Sequence, residues 1–420
     1  MSNTKEDIFR RVEEEDVEFI RLQFTDIYGN LKNMAVTSSQ LEKALDGRCS
    51  FDASAIEDYS LEADKTMYLR PDLDTFEIFP WRPQQGKVAR LFCDVYTLDG
   101  KPYEADPRYI LKNAVDEAAA LGYEFNVGPE CEFFLFNTDE NALPTTLTNE
   151  KAGYFDCGPS DFGENARRDI VLTLEEMNFT VESSHHEMAP AQHEVDFKYD
   201  NALKTADNIQ TFKLAVKTIA KRHGLHGTFM PKPKSGVNGS GMHINMSLVK
   251  NGKNAFYDEN SEYGVSEEAM YFLGGIAKHI KAITAITNPL VNSYTRLGNN
   301  RNLIFMIPKD GGENARIEFR TPDPSANPYL ALAVCLRAGI EGIRDKVKPA
   351  DETISKWTAS CGILPSNLYE AVTELEKDDL IKDTLGSELG NNYIDIKKKE
   401  WNAYCSHVTD WEVEQYLDKY

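Results

Sequence analysis

A chain of 420 residues that is 41% hydrophobic, 10% aromatic and 27% charged has an ordinary globular composition and room for about two domains. Its net charge of −22 excludes non-specific binding to nucleic acid or to an anionic membrane, so any phosphate ligand must meet a local basic cluster or a metal. Seven scattered cysteines without a Cys-x-x-Cys pair read as reduced thiols of a cytoplasmic protein. The charged start Met1–Asp7 shows no signal peptide, and no uncharged apolar run reaches membrane-span length.

Alternation over Val17 to Phe24, the turn residues 25–30 and a second run from Leu31 to Val36 predict a β-hairpin. Strand-like segments follow at Met67 to Pro80 and Val88 to Tyr96, so residues 13–100 form a small mixed-sheet domain. After a turn at 98–102, Asp106 and Pro107 start a helix that runs through Leu121 and stops at Gly122. The second domain, 104–420, alternates strands with amphipathic helices near 164–177, 202–223, 266–287 and 326–346.

Four strand-like segments in that domain carry chemistry: Gly128–Phe136, His185–Phe197 with a loop between Glu187 and Glu194, Met242–Ser247 and Arg316–Arg320. With a side-chain period of two, Glu130 and Glu132 share a face, as do His243, Asn245 and Ser247, and Arg316, Glu318 and Arg320. Phe133 to Phe136 mark a strand buried on both faces, where solvated acids do not fit. Glutamates aimed off one sheet face call for compensating cations, and hard oxygens with at most one imidazole favour Mg²⁺ or Mn²⁺ over Zn²⁺. His185, His186 and His193 stay open between ligation and hydrogen bonding. Pro190 and the spacing exclude a His-Glu-x-x-His zinc helix. The glycine-rich run 235–241 lacks the Lys-Ser/Thr ending of a phosphate loop and leads into a strand; its backbone suits close approach to a carboxylate. Arg296, Arg301, Arg316 and Arg320 around Glu318 suit an acidic substrate and a transferring phosphoryl group.

Together these segments resemble the type I glutamine synthetase family over nearly the whole chain. The matching stretches include Phe51-Asp52, Met67–Asp72, Gly153–Asp156, the His-His-Glu and His-Glu pair, Asn238–His243, Asn292–Tyr294 and Asp323–Tyr329. The resemblance implies an α+β protein with a β-grasp-like N-terminal domain, a larger catalytic domain with a curved antiparallel sheet and flanking helices, and a homododecamer with sites between subunits. It implies ATP-dependent ligation of glutamate and ammonia through a γ-glutamyl phosphate. Glu132, Glu187 and Glu194 would hold one metal and Glu130, His243 and Glu318 another. Asn238, Gly239, His243, Arg296 and Arg320 match glutamate-contacting positions, and Arg301 and Arg316 match phosphate positions. Asp52, from an adjacent chain, and Tyr154 match ammonium-site positions, and Glu182 a position that contacts ATP.

Departures accompany the likeness. Only Gly298-Asn299-Asn300 separates Leu297 from Arg301 where the family carries a longer flap with a glutamate; five Cα steps span at most about 18 Å, so no flap forms there. The family's Phe-Asp-Gly-Ser-Ser reads Phe51-Asp52-Ala53-Ser54-Ala55, Met306 replaces an arginine, and Lys234 and Ser235 stand where apolar residues are usual. Two alternatives follow: a γ-glutamyl ligase for another small amine, or a non-catalytic paralogue that binds metal or nucleotide and acts through assembly.

Overall fold

The computed structural model describes residues 3–59, 65–82, 85–261, 264–298, 304–308, 312–349 and 364–420. After α1 (Lys5–Glu14), strands β1 (Val17–Thr25) and β2 (Leu31–Thr37) form the predicted hairpin. Its turn is fixed by the Asp26 carboxylate, which accepts from the Asn30 amide at 2.8 Å. Gly29 has φ +82° there, and a Cβ on it would stand 2.9 Å from the Asn327 backbone, so both conformation and space require glycine.

Helix α2 (Leu41–Leu45) and strands β3 (Cys49–Asp52), β4 (Thr66–Pro71), β5 (Glu77–Ile78) and β6 (Lys87–Thr97) complete a sheet ordered β2-β1-β6-β4-β3, with β5 also on β6. The β1–β6 pair is parallel and the remaining pairs are antiparallel. The strand expected over Met67 to Pro80 is interrupted. It ends at Pro71, and a short 3-10 turn at Leu73–Thr75 follows, capped by the Asp72 side chain accepting from the Asp74 amide. Period-two patterning continues across such a turn, so the break is carried by the capping chemistry alone.

Helix α3 (Pro107–Ala120) starts as expected, with Asp106 as N-cap and proline in the first turn. The second sheet is built on the long strand β7 (Tyr123–Asn137). Helix α4 (Glu164–Glu176), strands β8 (Val181–His186), β9 (Gln192–Phe197) and β10 (Asp200–Asn201), and helix α5 (Ala202–Arg222) follow. Then come β11 (Leu225–Thr228), β12 (Met242–Lys250), β13 (Lys253–Asn254), α6 (Glu267–Thr287), α7 (Val291–Leu297), β14 (Phe305–Met306), β15 (Ile317–Phe319) and α8 (Pro328–Asp345). The order is β14-β15-β12-β7-β9-β8, every pair antiparallel. Cys131 and Phe133 of β7, Ile244 and Met246 of β12 and Val195 of β9 point into the core with Phe212 of α5, so the alternate positions face outward together. Helices α9 (Leu368–Lys377), α10 (Asp379–Leu385), α11 (Ser387–Cys405) and α12 (Asp410–Tyr416) end the chain. Among the described residues no helix is long and apolar enough to cross a membrane.

Buried polar contacts join the first sheet to the second half of the chain. The Arg108 guanidinium, in α3, donates to Asp94 at 2.5 Å, Asp72 at 2.7 Å and both oxygens of Asp207 of α5 at 3.1 and 2.9 Å. Gln210 of α5 reaches Thr25 and the Gly29 carbonyl, and Asn327 donates to the Asp26 carbonyl. From the far end, Asn392 of α11 donates to the Asp58 carbonyl, and Glu388 accepts from the Tyr103 hydroxyl at 2.8 Å.

Candidate active site

Register sets the site. In β7 opposite β12, Glu130 faces His243; in β7 opposite β9, Glu130 faces Asp196 and Glu132 faces Glu194; one strand further, Glu194 faces His185. On the other flank, Asn245 faces Glu318 and Glu318 faces Met306. Directly paired side chains stand about 5 Å apart on one face, so six adjacent strands collect these groups into one acidic field.

Two groups in that field have metal-ligand composition, with ligand atoms within 4.8 Å of one another. In the first, Glu130, His243 and Glu318, the His243 Nδ1 lies 3.0 Å from a Glu130 oxygen and 3.4 Å from one of Glu318. Asn245 donates to the other Glu130 oxygen at 2.8 Å, and Arg320 caps Glu318. Burial holds the His243 imidazole below its ordinary value, in the neutral form that ligates, and burial raises the Glu318 carboxyl.

The second group is His185, Glu187 and Glu194. His185 Nε2 sits 3.0 Å from Glu187 and 3.3 Å from Glu194, and these carboxylates, Glu187 first, lift the imidazole to about 10. Burial pushes Glu194 up to about 9. The His185 ring and Glu194 both hold protons against the ionised Glu187, which is how an oxygen-rich divalent site behaves when its charge is met by protons. The donor set fits a hard divalent ion: carboxylate oxygens with one imidazole in each group.

Glu132 stands beside rather than inside that group. It accepts from Gln192 Nε2 at 2.8 Å and from the Gly241 amide at 2.9 Å, and burial raises it to about 7. Its charge acts on Glu194, so all three carboxylates share one field. The glycine-rich loop approaches a carboxylate as its composition suggested. A Cβ on Gly241 would lie 2.5 Å from the Arg296 guanidinium, so the loop, Glu132 and Arg296 pack with no room for a side chain.

The remaining expected residues divide. Arg296 is half-buried and donates to the Thr321 carbonyl at 2.6 Å; Arg316 donates to Asn245 at 3.1 Å. Gly239 accepts from Gln192 through its carbonyl, and Asn238 lies exposed, its amide 3.2 Å from Met188 sulfur. Tyr154 is exposed, its ring 4.4 Å from Phe155 and 5.6 Å from His185, and burial with Glu187 nearby raises its hydroxyl. Phe155 stacks on His185 at 4.7 Å. Glu182 is exposed on β8. Asp52 is on the first sheet, capping the 53–55 turn through Ser54, and no described contact joins it to the acidic field. Arg301 lies outside the described residues.

His186 and His193 form with Glu150 a third, fully buried group whose ligand atoms lie within 4.8 Å of one another, and both also make hydrogen bonds. His186 Nε2 meets buried Glu150 at 2.8 Å and its Nδ1 donates to the Glu187 carbonyl at 2.6 Å; His193 Nδ1 lies 2.8 Å from the Arg167 guanidinium. Glu150 also accepts from the Phe162 and Ala191 amides, so its oxygens are occupied. Two residues escape the sequence reading, Glu150 and Asp196, whereas His185, open there between ligation and hydrogen bonding, joins a ligand group. Asp196 keeps the parity of Glu194 on β9, and the period of two contained that signal; Glu150 sits in a loop with no period at all.

The sequence profile of the glutamine synthetase catalytic domain matches residues 104–416, and that of the glutamine synthetase β-grasp domain matches 16–98. The glutamine synthetase of Clostridium saccharobutylicum is 55% identical over 439 residues, covering 99% of both chains, and that of Staphylococcus aureus 51% identical over 440, again 99% of both. A 439-residue match against 420 residues leaves at least 19 positions without a counterpart here. Among solved structures, ligand-free GmaS has TM-score 0.89 at 31% identity, covering 98% of this chain and 99% of that one. Glutamine synthetase of Plasmodium falciparum has 0.87 at 25%, covering 99% of each.

Proposed function

The chain belongs to the glutamine synthetase family and joins glutamate to ammonia with ATP, and from that premise we propose that the two carboxylate groups on its central sheet hold the divalent cations of the reaction. The observation that carries the site assignment is the register that puts Glu130, His243 and Glu318 on one face beside Glu132 and Glu194, with Glu187 of the β8–β9 loop grouped against Glu194. Divalent ions bound there would supply charge neutralisation for the phosphoryl group in transfer. A γ-carboxylate oxygen of glutamate attacks the γ-phosphorus of ATP and the bond to ADP breaks. Ammonia then attacks the acyl carbon, phosphate leaves with the electron pair, and the nitrogen loses a proton. Asn238, Gly239, His243, Arg296 and Arg320 would contact glutamate, Arg316 and Arg301 the phosphoryl group, and Glu182 and Arg301 the nucleotide, with Arg301 lying outside the described residues. Tyr154 sits beside the acidic field where ammonium would be held, with Asp52 supplied by a neighbouring subunit of a homododecamer. Domains at 13–100 and 104–420, and a cytoplasmic location in keeping with six free described cysteines, complete the reading.

The test is phosphate release from Mg-ATP and glutamate by purified protein, with ammonium and with a series of primary amines, alongside assay of the amide. Ammonium-dependent release matched by glutamine supports the reading; release without amide removes it. The short segment after Leu297 favours a second reading, a bulkier amine as nucleophile, and GmaS is among the structures it resembles. An amide of one of the primary amines, formed at lower amine concentration than glutamine is from ammonium, would select that reading.

Proton and cation compete for the same carboxylates. Glu132 and Glu194 keep protons to about 7 and about 9 in the fold, whereas the unfolded chain loses them near 4.5. Stability of cation-free protein therefore falls as pH rises through that window. Mg²⁺ or Mn²⁺ is expected to raise the melting temperature, and by more at pH 8 than at pH 6, read by calorimetry; an increment that shrinks with pH contradicts the assignment.

Met306 faces Glu318 across β14 and β15 and is partly exposed on the site face. Met306→Arg places a guanidinium beside the phosphoryl side and is expected to raise kcat about 10-fold. No gain in phosphate release would separate that position from the phosphoryl group.

A further inference from the structure

We propose that the cavity enclosed by the 27–31 turn, α5 and the N-terminal end of α8, away from the acidic field, binds a small organic anion with an apolar body. Its volume is about 570 Å³, the size that takes a metabolite. Three lysines, 213, 217 and 397, line it, with no aspartate or glutamate among the described residues of the wall, although the chain carries a net charge of −22. Lys397 is paired with Glu400 at 2.9 Å. Lys213 has one hydrogen bond, a long 3.3 Å contact to the Ala326 carbonyl, and burial draws its ammonium down to about 8. Lys217 stands exposed at the rim, 5.9 Å from the Phe229 ring centroid. Neither makes an ion pair among the described residues. Nearby acids are committed elsewhere: Asp323 accepts from Asn288 and Ser325, and Asp58 from Tyr28.

A desolvated ammonium without a counterion is costly unless an anion joins it. The positive end of the 18-residue helix α8 adds to the same potential, since Asn327 and Leu330 are in the wall. Leu214, Phe229, Leu290 and Leu330 supply the apolar surface, so a bare inorganic anion would leave most of the space unfilled. The wall segments lead into the acidic field without sharing its groups: Thr228 to Met230 precede Pro231, and Leu290 precedes α7 with Arg296.

The probe is anilinonaphthalenesulfonate, an aromatic sulfonate whose fluorescence rises in apolar surroundings, titrated into the full-length protein. Saturable binding, about one per chain, is expected to persist under saturating Mg-ATP and glutamate. Lys213→Met is expected to weaken it about 10-fold, and Lys217→Met, at the rim where folding is not at stake, about 3-fold. Thr228→Trp keeps both lysines, fills the space and is expected to abolish binding. Benzoate should displace the dye and inorganic phosphate at equal concentration should not. Unchanged binding in Lys217→Met and Thr228→Trp, displacement by Mg-ATP with glutamate, equal displacement by phosphate, or no saturable binding because a second copy covers the cavity would each overturn the proposal.

Discussion

Glu130→Gln is expected to lower glutamine-forming turnover by about 10²–10³-fold while leaving the fold intact. Glutamine keeps the size of the side chain and an oxygen for the Asn245 amide, but removes one negative charge from the group with His243 and Glu318. If that charge serves to hold a cation against the phosphoryl oxygens, the loss appears in kcat, and raising Mg²⁺ recovers part of it. The cation-free protein should melt only slightly lower than wild type: against burial, the His243 and Asn245 hydrogen bonds hold the Glu130 carboxyl below its ordinary value, and losing that charge is partly offset by relief of Glu318, whose own value Glu130 pushes up. Phosphate release and calorimetry on one preparation decide it: wild-type turnover would remove Glu130 from the site, and a collapsed melting temperature would make its role structural.

Arg108→Met is expected to cost about 3–5 kcal/mol of stability, the usual result of stranding buried charge. Three carboxylates depend on this guanidinium. Asp94 retains Lys112 at 2.6 Å and Asp207 retains the Tyr329 hydroxyl at 2.6 Å, but Asp72 loses its only described cation. The unfolding midpoint in urea should fall accordingly, and the exposed pair Lys377–Glu374 provides the comparison, since its removal should leave the midpoint unchanged. A midpoint that moves equally little in both would show that water reaches the three aspartates without penalty.

Elements were readable in the chain because their periods are local. The Asp106-Pro107 helix start, the 202–223 and 266–287 helices and the hairpin at 17–36 fall where capping residues and spacing put them. Parity placed Glu130 with Glu132 and His243 with Asn245, since a strand alternates its faces wherever it lies. Period two says nothing about which strand lies alongside. That β12, some 110 residues beyond β7, pairs with it and sets His243 against Glu130 is a non-local fact, and so is β9 on the other side. The position of His185 between Glu187 and Glu194 depends on such pairing, and its charge on theirs. Glu150 is set by amides of two separate loops, which leaves no pattern in its own segment.

The contact of Asn392 with the Asp58 carbonyl spans 334 residues of chain. At a synthesis rate of 5–20 residues per second, roughly 15 to 70 s separate the appearance of the two partners. Throughout that interval the Asp58 carbonyl lacks Asn392 and the Tyr103 hydroxyl lacks Glu388. The first sheet thus leaves the ribosome early but is fastened late, so a chain halted short of α11 would hold its opening segment through a partial set of contacts and offer it to chaperones and proteases.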